Sequence, residues 1–210
     1  MSLRYALLGV LEARPMTGYD LAQFFDESTA WVWSAPHSNI YPELKRLEAA
    51  GLISGRDETR GERLRRTVYS ITDAGREELR RWAGSPVSNG PDRDPMLLRA
   101  LFFDSIDPSE AVAVLESFIA DQCAWIERWE AHRLALLNKD TPLIKERLAH
   151  RDAGTHDRIA ALKANVFSGM ILFAEARVAW ARREIELVTD VPVARSRPRA
   201  VASGRRRARS

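Results

Sequence analysis

The sequence predicts a mainly α-helical chain with one small β-hairpin, divided into two folded units, and three observations carry that prediction. Between residues 3 and 50 the apolar residues recur at helical spacing in three short runs, followed by a stretch rich in β-branched and aromatic residues near 66–71. From Gly84 to Pro95 three prolines, two glycines, two serines and an asparagine replace any periodicity. Beyond Pro95 the chain is almost wholly helix-forming as far as Val188.

In order, Leu7, Leu8 and Leu11 give the first run, Leu3 to Ala13, a helical stripe that Pro15 closes. Thr17 offers a hydroxyl N-cap with Asp20 three positions on, the spacing of a capping box. Leu21, Phe24 and Phe25 form the core face of the second helix. In the third, Ile40, Leu44 and Leu47 share one stripe, while Ser38, Pro42 and Lys45 point away and Asn39, Tyr41 and Arg46 flank it. Pro42 lacks an N–H and suits a first turn, so the regular helix is expected to start near Ser38. Gly51 supplies the stop. Leu52 to Arg56 reads as a short strand, Asp57 to Leu64 as a polar turn, and Arg66 to Ile71 as the returning strand. Thr72 caps a further helix carrying Leu79 and Trp82.

Three short helices and a hairpin within about 70 residues form a winged helix-turn-helix pattern. The third helix, buried on one side and polar on the other, has the composition of a major-groove reader. Its candidate DNA contacts are Ser38, Asn39, Tyr41, Lys45 and Arg46, with Arg60, Arg63, Arg65 and Arg66 on the wing, where Glu58 and Glu62 offset part of the charge. A solvated helix face is the plain alternative for the first group.

After the linker, Pro95 to Phe103 reads as a short helix, Ser109 to Leu137 as a long one behind Pro108, Leu143 to Ala149 as a shorter one, and His156 to Val188 as another long one. The long helices carry apolar residues on more than one stripe, which points to a helical dimerisation domain completed by a second copy of the chain. The expected division is residues 1–83 for DNA binding, 84–95 as linker, 96–190 for dimerisation and 191–210 as a disordered arginine-rich tail.

Charge supports DNA binding only through its placement. The net charge is +3, yet the seven arginines between Arg195 and Ser210 leave the preceding residues at −4, and residues 1–83 balance twelve basic against twelve acidic side chains. A single cysteine, Cys123, rules out an internal disulfide and suits a reducing compartment. No apolar run is expected to reach the roughly 20 residues of a membrane span. The first residues lack the pattern of a secretory signal, so a cytoplasmic protein without membrane contact is expected. His132, His150 and His156 do not have zinc-site spacing, so no metal or cofactor is expected. No phosphate loop, nucleophile elbow or paired catalytic constellation is present, so the chain is read as a non-enzyme.

The motifs Leu7-Leu8-Gly9-Val10-Leu11, Met16-Thr17-Gly18-Tyr19-Asp20-Leu21, Ile40 to Glu48 with Gly51-Leu52, and Tyr69-Ser70-Ile71-Thr72-Asp73-Ala74-Gly75 resemble those of the PadR family of bacterial transcriptional regulators. The likeness is dense over residues 3–83. Over 95–188 it rests on the helix layout and the Gly169, Glu175, Trp180 region, similar to the longer, virulence-activator type, and it is absent from the tail. The resemblance implies a homodimeric repressor on double-stranded DNA with a roughly palindromic operator, released by a small, often phenolic or otherwise aromatic effector. Candidate effector residues are Trp31, Trp33, Trp125, Trp129 and Phe173, for which core or dimer-seam packing is the default reading. A DNA-binding regulator without a ligand, and a helical module whose winged helix contacts protein, are the alternative readings.

Overall fold

The computed structural model describes residues 2–25, 37–60, 64–87 and 94–190. Helix α1 (Ser2–Leu11) turns Leu7, Leu8 and Leu11 inward. Met16–Thr17 then form β1, and Thr17 caps α2 (Gly18–Phe24) through the expected reciprocal box with Asp20. Helix α3 spans His37–Ala49 and meets the hairpin of β2 (Ile53–Arg60) and β3 (Leu64–Ile71). Helix α4 (Asp73–Ala83) follows, capped by Thr72.

α3 ends in a Schellman motif. Gly51, at φ 69°, donates to Glu48 and Leu52 donates to Leu47, which satisfies carbonyls the helix end would strand. The α3 start at His37 lies one residue from the expected one, but it places Pro42 inside the helix, in its second turn. The missing N–H leaves the Ser38 carbonyl without its helical donor. Ser38 and Pro42 are both exposed, so this break in the ladder lies on the solvent side and the helix continues past it.

Two features of the sheet differ from the sequence expectation. It has three antiparallel strands in the order β1-β3-β2, because Met16 and Thr17 pair with Tyr69 and Val68; two residues are too few to show an alternating pattern. The hairpin is also longer, since residues 57–60, expected in a turn, are in register with residues 64–67. Polar cross-strand pairs hold this part: Arg66 is 3.0 Å from Glu58, and the Thr67 hydroxyl donates to Asp57 at 2.8 Å.

The N-terminal core gathers Leu7, Leu8, Leu21, Phe25, Ile40, Leu44 and Ile53. Gly75 fixes how α4 meets it: a Cβ there would stand 2.1 Å from the Leu52 carbonyl oxygen, so only glycine allows α4 to start against the α3–β2 turn. Thr72 closes the same corner by donating to the Gly51 carbonyl at 2.7 Å. Tyr5 and Trp82 stack at 4.4 Å between α1 and α4.

In the C-terminal part, Asp94 caps α5 (Pro95–Ala100), which is shorter than expected and followed by a single 3-10 turn at Phe103–Ser105. Helix α6 (Pro108–Leu137) packs along α8 (His156–Asp190), with α7 (Pro142–Ala149) between them in sequence. The α8 face on α6 is built from small residues, Ala160, Ala164, Ala174 and Ala181 with Phe167 and Val178, so the two helices approach closely. By length and composition α8 is apolar enough to cross a membrane, contrary to the expectation from apolar runs, and 22% of its most apolar stretch is buried in this chain. Arg177, within the helix, is engaged by protein: it pairs with Asp94 and lies 5.1 Å over the Phe118 ring.

Helix α7 wedges between the two parts. Leu143 packs on the N-terminal core, whereas Ile144 and Leu148 join Leu136, Ala164 and Phe167. Arg14 pairs with Glu146 at 2.7 Å, and Glu12, just after α1, accepts both Arg147 of α7 and Arg151 just beyond it.

Candidate nucleic-acid interface and interdomain cavity

Ile40 and Leu44 are fully buried, which fixes the rotation of α3 and turns Ser38, Asn39, Lys45 and Arg46 to solvent. Arg46 is lightly held by Glu43 at 3.2 Å, an exposed pair that a stronger anion can displace. Tyr41 is half exposed; its ring lies over Gly18 at the start of α2, where a Cβ would approach it to 2.7 Å. Tyr41 is therefore seated against the preceding helix with its other side free. Glu48 leaves the reading face to accept the Gly55 N–H at 2.9 Å, which ties the end of α3 to the base of the wing. Burial, then the carboxylates Glu48 and Asp57, raises the Tyr69 phenol above its ordinary range.

On the wing, Arg66 is exposed and paired with Glu58. Arg60 and Arg65 are placed as backbone in β2 and β3, at the far end of the hairpin, and their side chains lie outside the described residues, as does Arg63. The hairpin and the polar face of α3 belong to one rigid corner, held by the Gly51 turn, Glu48 and Thr72.

A second feature lies where the two parts meet. A cavity of about 830 Å³ opens between the start of α2, the end of α6, α7 and α8. Met16, Phe24, Leu136, Ile144 and Phe167 supply apolar walls, and Arg14, Arg147 and Lys163 supply cations against one carboxylate, Asp20. His132 sits against Phe167, ring centres 4.6 Å apart, and burial lowers its pKa, which keeps the imidazole neutral near pH 7. Lys163 is exposed on its outer side but walled by protein on the other. That desolvation, followed by the positive charge of Arg147, holds its ammonium below the usual lysine range. An apolar slot with three cations on its wall, two of them held by the carboxylates Glu146 and Glu12, suits a flat, partly apolar anion that competes for them.

The aromatic candidates from the sequence sit elsewhere. Trp125 and Trp129 stack on each other along α6 at 5.7 Å, with Arg128 over Trp125. Phe173 is 75% exposed on α8. None of the three lines the cavity, while Trp31 and Trp33 lie outside the described residues. The residues that do line it come from five separated stretches and form no motif. Arg14 and Pro15, which follow a helix without continuing its pattern, were the available local signal.

Comparison with known proteins gives a consistent picture. Residues 7–81 match the transcriptional regulator PadR-like family. The chain is 38% identical over 111 residues to the negative transcriptional regulator PadR of Bacillus subtilis, a match covering 52% of this chain and 60% of that protein. The crystal structure of Bacillus subtilis PadR in complex with operator DNA superposes with a TM-score of 0.68 at 26% identity, over 90% of this chain and 99% of that one. Its complex with p-coumaric acid gives 0.67 at 25% identity, over 90% and 100%. The Vibrio cholerae virulence activator AphA, at 23% identity, shares the fold with a TM-score of 0.61 over 89% and 98%.

Proposed function

We propose, from the match of residues 7–81 to the PadR-like transcriptional-regulator family, that the protein is a homodimeric, sequence-specific DNA-binding repressor relieved by a small aromatic carboxylate. The observation that carries the DNA-binding part is the corner built by α3 and the hairpin, where one face is locked into the core and the other offers Ser38, Asn39, Tyr41, Lys45 and Arg46. Residues 1–83 act as the DNA-binding unit, 84–95 as the connection and 96–190 as the dimerisation unit. The protein works in the cytoplasm, where its DNA is, and carries out no catalysis.

Support for the dimer comes from the back of α8. Leu162, Val166, Phe173 and Leu187 fall within one narrow helical stripe, opposite the alanine face on α6, and all four are at least half exposed. A continuous apolar stripe on a long helix is what a second copy would cover, placing Phe173 at the dimer seam. Two α3 helices related by a two-fold axis would then meet successive major grooves of a palindromic operator.

Support for the effector comes from the cationic cavity and from the p-coumaric acid complex of the similar Bacillus protein. The test is a titration of an operator fragment with and without saturating p-coumarate. About tenfold weaker DNA binding with the acid is expected, since a ligand shifts the protein only by its differential affinity for the two states. Unchanged operator affinity with p-coumarate and other aromatic acids, together with no thermal shift, favours a regulator without a ligand.

A further inference from the structure

We infer that Arg147 serves two carboxylates in turn: Glu12, just past the end of α1, in the present arrangement, and the carboxylate of an anionic ligand in the interdomain cavity, so that ligand binding loosens the clasp between α7 and the DNA-binding unit. This rests on the cavity reading above and adds how occupancy would be transmitted.

Arg147 belongs to both places. It lines the cavity, and it donates to the Gly9 carbonyl (2.6 Å) on α1 and to the Glu12 carboxylate in the turn that follows. The pair is largely withdrawn from water, with side-chain exposures of 15% for Arg147 and 11% for Glu12, so exchanging partners there has a large effect. Glu12 also accepts Arg151 and lies 3.8 Å from Arg76. One carboxylate thus serves three guanidiniums. If Arg147 turns to another anion, Glu12 keeps Arg151 and is not stranded, whereas the Gly9 carbonyl loses its α7 donor. Lys163 faces the same space with its charge disfavoured by desolvation and by Arg147, so an anion between them relieves both cations. The remaining acids at the rim are occupied: Glu146 holds Arg14, and Asp20 is bound to Thr17. The exchange is reciprocal, so whatever weakens the Glu12–Arg147 pair must strengthen the ligand.

The test measures p-coumarate and its uncharged methyl ester by calorimetry on wild type, Glu12→Gln, Arg147→Gln and the double variant. Glu12→Gln is expected to bind the acid on the order of tenfold more tightly, with the ester unchanged, and Arg147→Gln to bind the acid at least tenfold more weakly. The double variant is expected to be as weak for the acid as Arg147→Gln alone. A gain from Glu12→Gln that persists without Arg147 would mean a general field effect and overturn the exchange. The double variant leaves neither partner charged and unpaired, so it decides the matter if a single variant fails to fold: it must lose the wild-type preference for acid over ester. Acid and ester binding wild type equally, with no effect of Glu12→Gln, sinks the exchange but leaves the cavity standing. Failure of both compounds to bind wild type sinks the cavity reading and the exchange with it.

Discussion

Lys45→Ala is expected to weaken binding to the operator by about 10- to 100-fold, with Arg46→Ala close behind, while the thermal midpoint stays within a degree or two of wild type. Both side chains are exposed on the polar face of α3 and contribute nothing to its seat, so the effect falls on DNA and spares folding. A good base-edge contact contributes about 1–3 kcal/mol of discrimination. Salt dependence separates the two kinds of contact. A lost phosphate contact lowers the slope of log affinity against log salt by about 0.9, doubled in a dimer, and weakens all sequences alike; a lost base contact leaves the slope and relaxes specificity at one position. Arg46 first has to leave Glu43, so Glu43→Gln is expected to strengthen binding slightly.

The second large effect is on stability. Leu44→Ala is expected to cost about 2–5 kcal/mol, read as a lower midpoint in urea unfolding. Leu44 is fully buried among Leu7, Leu21, Ile40 and Ile53, which come from four different elements, so its removal opens a cavity that no single element can collapse to fill. A loss of that size is a large part of the roughly 5–15 kcal/mol that holds a domain folded. Operator binding should fall with it, because the same side chain sets the rotation of the reading face. Gly75→Ala is expected to destabilise the same corner by overpacking, about 1–3 kcal/mol or more, since the obstacle is a backbone carbonyl and not a side chain that can swing away.

Much of this was legible in the sequence because the signals are local. The Thr17–Asp20 box, the Gly51 stop and the buried stripe of Ile40, Leu44 and Leu47 each depend on residues within a turn or two, and each has its expected geometry. The start of α6 at Pro108 and the start of α8 at His156 were readable for the same reason. The outer part of the hairpin was not, because Asp57, Glu58, Arg66 and Thr67 pair through charge and hydroxyl and show no apolar alternation. Pro42 located the helix start to within one residue, and an exposed face tolerates the hydrogen bond that its missing N–H removes in the second turn.

The cavity was beyond reach of any spacing argument. Arg147 meets Glu12 across 135 residues of chain and Arg14 meets Glu146 across 132, so only the docking of α7 brings them together. Aromatic size singled out Trp31, Trp33, Trp125, Trp129 and Phe173 as effector candidates; of these the described three lie away from the cavity, whose wall is built from Met16, Phe24, Leu136 and Phe167 with cations at its rim. On α8 the same bias hid the more informative pattern, which is the row of alanines facing α6 and the large apolar residues turned the other way.

The central claim is that α3, presented twice by a dimer, reads DNA. Hydroxyl-radical footprinting on a fragment selected from the source genome tests it most directly. Two protected stretches about one helical turn apart are expected, related by a dyad in the sequence, and both lost together in the Lys45→Ala variant. A single protected stretch without a dyad, or a footprint that Lys45→Ala and Arg46→Ala leave intact, would contradict it.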